Sequence, residues 1–438
     1  MLLARNWWIV SGCFCLFILG CRRSNPIAPI TLDSSGVEVR TGQVDFTNTW
    51  PAWRGPGNDG LAPEQAIAIH WDASQNVLWK SQLPGRGHGS PIVFGNLVFL
   101  LTADEQKKKQ SVLALDKLSG QLTWETVVHD SGWVDQSRIH PKGSYANSTL
   151  ACDGVHIYAA TYSADQIFLT ALDLQGEQVW QTALGPFDSK FGFAPSPILY
   201  KSLVILACDH QGSGYLVACD NQSGKIAWRT PRPAMNSHST ACVASVGGRD
   251  QLLVAGCRKV ASYDPVSGKE NWQVSGTGET TCGTVVTDGE RIVASGGYPE
   301  KETLCLDPNG QTVWKIKTSI YEPSPIIVGD YVYGISDNGI AYCWDLSTGE
   351  QKWQERLGGS FSASPVAVGE KIIVTNLDGK TFVFQARSER FESLAENVLG
   401  SDCYASPAVC EGRIYLRVGV GKGPNRHEEL VCIAPPNS

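Results

Sequence analysis

Ala218-Cys-Asp-Asn-Gln-Ser-Gly-Lys-Ile-Ala-Trp228 is one of six variants of a single pattern in this chain. The same shape occurs as Ala114-Leu-Asp116 with Gly120 and Trp124, and as Ala171-Leu-Asp173 with Gly176 and Trp180. It recurs as Ser262-Tyr-Asp264 with Gly268 and Trp272, and as Cys305-Leu-Asp307 with Gly310 and Trp314. The last copy is Cys343-Trp-Asp345 with Gly349 and Trp353. In all six the Trp follows the Gly by four residues, and the Asp precedes the Gly by three or four. With Asp220, Gly224 and Trp228, these positions set the frame of the chain.

One copy reads as strand, turn, strand. The alternating apolar run Tyr215-Leu-Val-Ala218 is a strand signal. Asp and Gly then make a tight turn, in which Gly adopts positive φ without steric penalty. The Trp opens the next strand, and an indole at a fixed place in every repeat is a packing element between neighbouring units. Strand-only units repeating at this length are propeller blades.

Composition narrows the possibilities. The chain has 438 residues and a formal net charge of −7, from 36 basic and 43 acidic side chains. That balance lacks the basic excess of a nucleic-acid surface. There are 14 Cys, but no C-x-x-C and no adjacent pair, which removes the usual zinc, thioredoxin-like and haem motifs. Cys305 and Cys343 stand where Ala occurs in other repeats and read as small buried residues. A cross-strand pair such as Cys242 with Cys257 is open on sequence alone.

Residues 1–20 read as a signal peptide. Arg5 supplies the positive start, and Trp7 to Gly20 is an apolar run shorter than the ~20 residues of a spanning helix. Ile18-Leu-Gly-Cys21 is similar to a bacterial lipobox, in which cleavage leaves Cys21 lipidated. An ordinary signal peptide or a short uncleaved anchor is the alternative. Residues 21–49 are polar and patternless and read as a flexible tether. Residues 50–438 are the propeller. Its opening, Trp50-Pro-Ala-Trp-Arg-Gly-Pro-Gly57, sets two Trp and an Arg among turn formers. This suggests a segment pinned on the domain surface, either a plug or clasp or a gate for a ligand.

Asn76-Val-Leu-Trp79 looks like the last strand of a repeat whose first three strands are missing. The C-terminus supplies the complement in Ser406-Pro-Ala-Val409, Arg413-Ile-Tyr-Leu-Arg417 and Glu429-Leu-Val-Cys432. Joining the two ends closes a ring and removes its sheet edges. Final strands at Trp79, Trp124, Trp180, Trp228, Trp272, Trp314, Trp353 and a degenerate copy near Phe391 count eight blades. Inner strands starting at Ser90, Ser148, Ser196, Ser239, Cys282, Ser324, Ser364 and Ser406 count eight again. The expected fold is therefore all-β: an eight-bladed propeller of four-stranded antiparallel blades, with an irregular outer turn in the seventh.

These repeats resemble the tryptophan-docking repeats of pyrroloquinoline quinone (PQQ) enzymes. They resemble equally the PQQ-like repeats of the lipoprotein propeller in the bacterial outer-membrane β-barrel assembly machinery. The resemblance covers about residues 50–434 and includes Trp50-Pro-Ala-Trp-Arg-Gly-Pro, Leu184-Gly-Pro-Phe and Ser295-Gly-Gly-Tyr-Pro. It implies the propeller fold, and a shared propeller hosts unrelated activities. In quinoprotein dehydrogenases it would imply PQQ and calcium on the ring axis, an Asp base and a disulfide of adjacent Cys. No two Cys are adjacent here, and no carboxylate cluster maps onto a calcium site.

The residues before each inner strand should line one mouth of the axial channel. Its titratable or aromatic members are His88, His238, Glu322 and Tyr404. A His–His–Glu set could bind a metal or act as acid and base; otherwise these residues line a wet channel. No spacing fixes a metal geometry, and no catalytic residue is assigned. The longest insertion, His129 to Tyr145, carries Trp133, Asp135, Arg138, His140 and Lys142. Such a loop either flanks a binding site together with residues 50–60 or is simply solvated. The reading is an exported, lipid-anchored, non-enzymatic scaffold on the periplasmic side of a bacterial membrane, with envelope proteins or glycan as partners and no cofactor. A PQQ-dependent dehydrogenase with calcium, oxidising an alcohol or sugar, is the alternative, followed by a polysaccharide-binding or -cleaving propeller.

Overall fold

In the computed structural model, which describes residues 26–41, 46–318 and 320–435, the repeat becomes eight antiparallel sheets around an axis. Blade 1 runs outward through Ile92–Phe94, Leu97–Asp104, Lys109–Asp116 and Leu122–His129. The inner strands of blades 2 to 7 begin at Ala151, Ile198, Cys242, Val286, Ile326 and Val366. Blade 8 joins the two ends of the chain as expected. Ala408–Cys410, Arg413–Val420 and His427–Ile433 are completed by Val77–Leu83, with Trp79 opposite Cys432. The expected signal peptide and Cys21 lie outside the described residues.

Two features go beyond the repeat pattern. Leu61–Ala62 adds a short strand parallel to Val366–Val368, inside blade 7. The described part of the tether, 26–41, is seated on blade 3. Ile30 bridges Arg229 through paired backbone hydrogen bonds, and Arg40 ion-pairs with Asp220. No helix among the described residues is long and apolar enough to cross a membrane. Cys242 and Cys257, which the sequence left open as a pair, are both free thiols, as are the other described cysteines.

The tryptophans dock blade onto blade. Each indole lies over the turn glycine of the next blade: Trp79 on Gly120, Trp124 on Gly176, Trp180 on Gly224, Trp228 on Gly268, Trp272 on Gly310 and Trp314 on Gly349. Five of these six indole N–H groups donate to a carbonyl of that same turn, as from Trp314 to Leu346 O at 2.8 Å. The exception is Trp228, whose buried N–H has no partner. Each repeat Asp caps its own turn; Asp116 Oδ1 accepts from the backbone N–H groups of Leu118 and Ser119. In blade 7 the glycine is absent. There Trp353 packs against Phe384 and Phe391 and donates to Arg387 O at 2.7 Å. The outer strand of that blade is Ser393–Val398, just beyond Phe391.

Gly268 shows why the position tolerates no side chain. Its φ is +70°, and an added Cβ would sit 2.4 Å from Trp228 Cε3. Gly248 has a similar φ of +77° but open space around it. Gly248→Ala therefore carries backbone strain alone, about 1 kcal/mol. Gly268→Ala must also displace the indole and should lose about 3 kcal/mol or more. Urea midpoints of the two variants check this; equal midpoints would mean that the indole contact does not hold the blades together.

A candidate binding funnel on the propeller axis

The entry to each inner strand is held by a ring of hydroxyls. Ser90 N–H donates to Thr149 Oγ1 at 2.9 Å, Thr149 N–H to Ser196 Oγ at 2.9 Å, and Ser196 N–H to Thr240 Oγ1 at 3.0 Å. The same bond links Thr284 to Ser324, Ser324 to Ser364, Ser364 to Ser406, and Ser406 back to Ser90. This ring sets the register. In blades 2 and 4 the locking hydroxyls are Thr149 and Thr240, one residue later than the starts read from sequence, and in blade 5 the ring position is Thr284, two residues later.

At the remaining junction, between blades 4 and 5, the Thr284 hydroxyl accepts instead from the Trp53 indole N–H at 2.9 Å. Residues 50–62 thus lie inside the ring, not on the domain surface. Trp50 N–H donates to Val93 O at 2.8 Å, Cys152 N–H to Pro51 O at 2.8 Å, and Ala367 N–H to Gly60 O at 2.9 Å. Apolar Trp50 and Ala52 are buried, and Arg54 bonds the carbonyls of Asp59 and Pro325. Burial lowers the Arg54 pKa to about 10, with Asp59 acting in the opposite direction. The segment is a plug held by five blades, and burying its apolar residues and satisfying the inner-strand backbone keeps it there.

Above the plug is a cavity of about 590 Å³ with Trp53 in its lining. Its wall takes the residue two positions before the ring hydroxyl from every blade: His88, Asn147, Ala194, His238, Cys282, Glu322, Ser362 and Tyr404. The structure therefore brings the four sequence candidates His88, His238, Glu322 and Tyr404 into one cavity. In blade 5 the equivalent position is Cys282, although Thr280 also reaches the lining. The His129–Tyr145 loop is not a solvated loop. Val134, Ile139 and Tyr145 are buried, Trp133 stacks on Tyr145 at 4.0 Å, and His140 and Lys142 project into the cavity wall.

The electrostatics of the wall are closed. Lys142 Nζ meets Glu322 Oε1 at 2.8 Å, and Ser362 donates to Glu322 Oε2. Burial works against the Lys142 charge, but the Glu322 carboxylate outweighs it and holds the ammonium above its ordinary range. Glu279 pairs with Arg258 at 3.1 Å. His88 is pushed well below the ordinary imidazole range by burial and then by Arg86, Arg417 and Arg426. Its Nε2 lies 3.3 Å from the Arg86 guanidinium, and its ring stacks on Tyr404 at 4.0 Å. A guanidinium can only donate, so His88 accepts there and is neutral. Burial lowers the His238 pKa to about 4, with Asp209 opposing.

Among the described residues, no group of three or more His, Cys, Asp or Glu side chains is placed to hold a metal. The lining carboxylates are Glu279 and Glu322, and both oxygens of Glu322 are already engaged. Calcium calls for six to eight oxygens including carboxylates, so this donor set does not fit it. A flat aromatic polycarboxylate such as PQQ would also find no unpaired cation in Lys142. Sequence reasoning reached Trp53 only as part of the 50–60 segment and missed Phe191, Asn236, Tyr298 and Tyr321 in the lining. A usable signal existed in aromatic residues set among Gly and Pro on connections between blades, as in Gly296-Gly-Tyr298-Pro299.

These features define a propeller with a blind axial funnel, built on PQQ-type repeats. The family model described as outer membrane protein assembly factor BamB matches residues 62–212, 138–249, 212–305 and 300–390. That is most of the chain, and the chain belongs to this family. It is 30% identical to the outer membrane protein assembly factor BamB of Burkholderia pseudomallei (strain K96243) over 110 residues, 24% of this chain and 28% of the relative. It is 24% identical to a polyvinylalcohol dehydrogenase of a Pseudomonas species over 231 residues, 47% of this chain and 33% of the relative. The matches thus span about a third of the length of these curated relatives. Among solved structures, a europium-containing methanol dehydrogenase superposes with a TM-score of 0.67 at 12% identity, covering 89% of this chain and 98% of the other. At that identity the likeness shows the fold alone.

Protonating His238 in the folded state needs a pH near 4, whereas an unfolded His protonates near 6.5. The unfolded chain therefore binds more protons in that window, and stability falls as pH drops from 6.5 to 4. The His238 ring carbons should give no NMR titration step between pH 8 and 5, and His238→Gln should flatten the decline in stability. A titration midpoint near 6.5 would contradict the closed environment described above.

Proposed function

We propose that this protein is an exported, lipid-anchored, non-enzymatic propeller of the bacterial cell envelope. It holds a ligand or partner at its axial funnel. The observation that carries this reading is the funnel itself. All eight blades contribute one wall residue to a cavity that the Trp50–Ala62 plug closes from below. Its size lies within the ~300–1,000 Å³ of small-ligand sites.

Three points support binding over oxidation. The charged groups of the wall are already ion-paired, Lys142 with Glu322 and Glu279 with Arg258. The donor set does not fit calcium. Family membership points toward an assembly role, because the family model carries the name of an outer membrane assembly factor. A diacylglycerol-type anchor at Cys21 would hold the propeller at a membrane without spanning it. Residues 26–41 would then lead from the anchor onto the outer edge of blade 3.

Two measurements on the full chain test this. Titration with PQQ and calcium, with dye-linked oxidation of alcohols and sugars, should give neither saturable binding nor turnover. Turnover would replace the binding reading with a dehydrogenase. Cys21→Ser should abolish incorporation of labelled fatty acid and release the protein from the membrane fraction; unchanged incorporation would remove the anchor from the proposal.

A further inference from the structure

We infer that the funnel captures the end of an uncharged glycan chain. This rests on the funnel being the binding site, and it adds the chemical class of the ligand. The first observation is where aromatic surface is left bare. Among the described residues, the exposed large hydrophobics include only two aromatic side chains, Phe191 (42% exposed) and Tyr298 (65% exposed). Both line the funnel, as does the indole of Trp53. Phe191 meets His140 and His238 at ring-centroid distances of 5.9 and 6.0 Å yet stays 42% exposed, and such exposed ring surface at one cavity is held for a ligand with an apolar face. Sugar rings present such faces through their C–H groups.

The second observation is charge. Among the lining residues, a ligand bearing phosphate or carboxylate finds one ammonium, Lys142, already paired with Glu322, and a cationic ligand finds two carboxylates, Glu322 and Glu279, already paired with Lys142 and Arg258. The imidazoles of His88 and His238 are held neutral; His88 accepts from Arg86 at Nε2 and has only its Nδ1–H left to offer, whereas His238 presents one donor and one acceptor nitrogen. Neutral hydroxyl groups, which both donate and accept, match that wall.

The third observation is an unmet hydrogen bond. Asn236 lines the funnel, and its buried Oδ1 has no partner. A buried acceptor left without a donor costs about 1–3 kcal/mol, and turning the Asn236 amide into the funnel toward a ligand hydroxyl would supply the donor. Because the plug closes the far end, a chain must enter by its terminus. A purely apolar ligand would leave Asn236 and the histidines unpaired, and a peptide terminus would bring a charge.

The test uses the full chain with cellohexaose, maltohexaose and chitohexaose as neutral probes. A hexagalacturonate and an uncharged capped peptide serve as comparisons. Binding is read by calorimetry on wild type, Phe191→Ala and Tyr298→Ala. Both positions are exposed, so the variants should keep the wild-type melting temperature. At least one neutral hexamer should bind saturably. Each substitution should weaken it about tenfold, and the hexagalacturonate should bind at least about tenfold more weakly than the neutral hexamer. If the peptide or the hexagalacturonate binds best and the two variants weaken that binding, the funnel stands and the glycan inference falls. If no probe binds, or if binding ignores both substitutions, the funnel falls as the site together with its ligand.

Discussion

The ring depends on one contact, the indole of each blade lying flat on the turn glycine of the next. A four-stranded blade has two apolar faces and cannot bury either alone. The indole covers one face and reaches the neighbour's backbone, so a single side chain supplies both packing and a hydrogen bond. The contact needs a bare Cα beneath it, which explains the glycine. It needs that glycine fixed in space, which explains the Asp that caps the turn. Blade 7 receives the Trp353 indole of blade 6 on Phe384 and Phe391 in place of a glycine turn, and its own outer strand Ser393–Val398 carries no Trp. Trp228 leaves its N–H unpaired although its ring packs like the others. Stacking is therefore the larger part of the contact.

The fold was legible because this contact repeats in the sequence. Indole, glycine and Asp recur at fixed offsets, and each can be read without knowing its neighbours. Ring closure was legible as well, because Trp79 lacked strands before it and Cys432 lacked a Trp strand after it. The inner register was harder to read. Ser148-Thr149 and Ser239-Thr240 each offer two hydroxyls, and only the neighbouring blade decides which one accepts its N–H. The Trp50–Gly57 segment posed the same difficulty. Two Trp and an Arg among turn residues suit a clasp outside the ring or a plug inside it, and the Pro325 carbonyl that ties Arg54 to the ring lies far away in sequence.

The funnel divides along the same line. His88, His238, Glu322 and Tyr404 could be found in advance because they stand at a fixed offset from the strand starts. Phe191 and Tyr298 have no such offset, because they sit on connections whose lengths do not repeat, and only their setting among Gly and Pro marks them. The wall position stands outside the two repeated locks of the ring. The hydroxyl ring two residues later locks the backbone, and the indoles lock the blades at their outer turns. The eight side chains between these two locks are thus free to differ, and they do, from Ala194 to Tyr404.

That freedom explains how a repetitive ring acquires an asymmetric site. Identical blades would give a symmetric pore open at both ends. Here the plug breaks the symmetry at one junction. Trp53 takes the Thr284 hydroxyl at the point where the blade-to-blade ring bond is not made. The floor of the funnel is therefore part of the closure of the ring. The His129–Tyr145 loop breaks the symmetry again by carrying Lys142 across to Glu322 and neutralising the wall's engaged carboxylate. Closure, charge balance and exposed aromatic surface meet in one cavity. Each comes from a segment outside the repeat, and the repeat supplies the rigid frame that holds them in place.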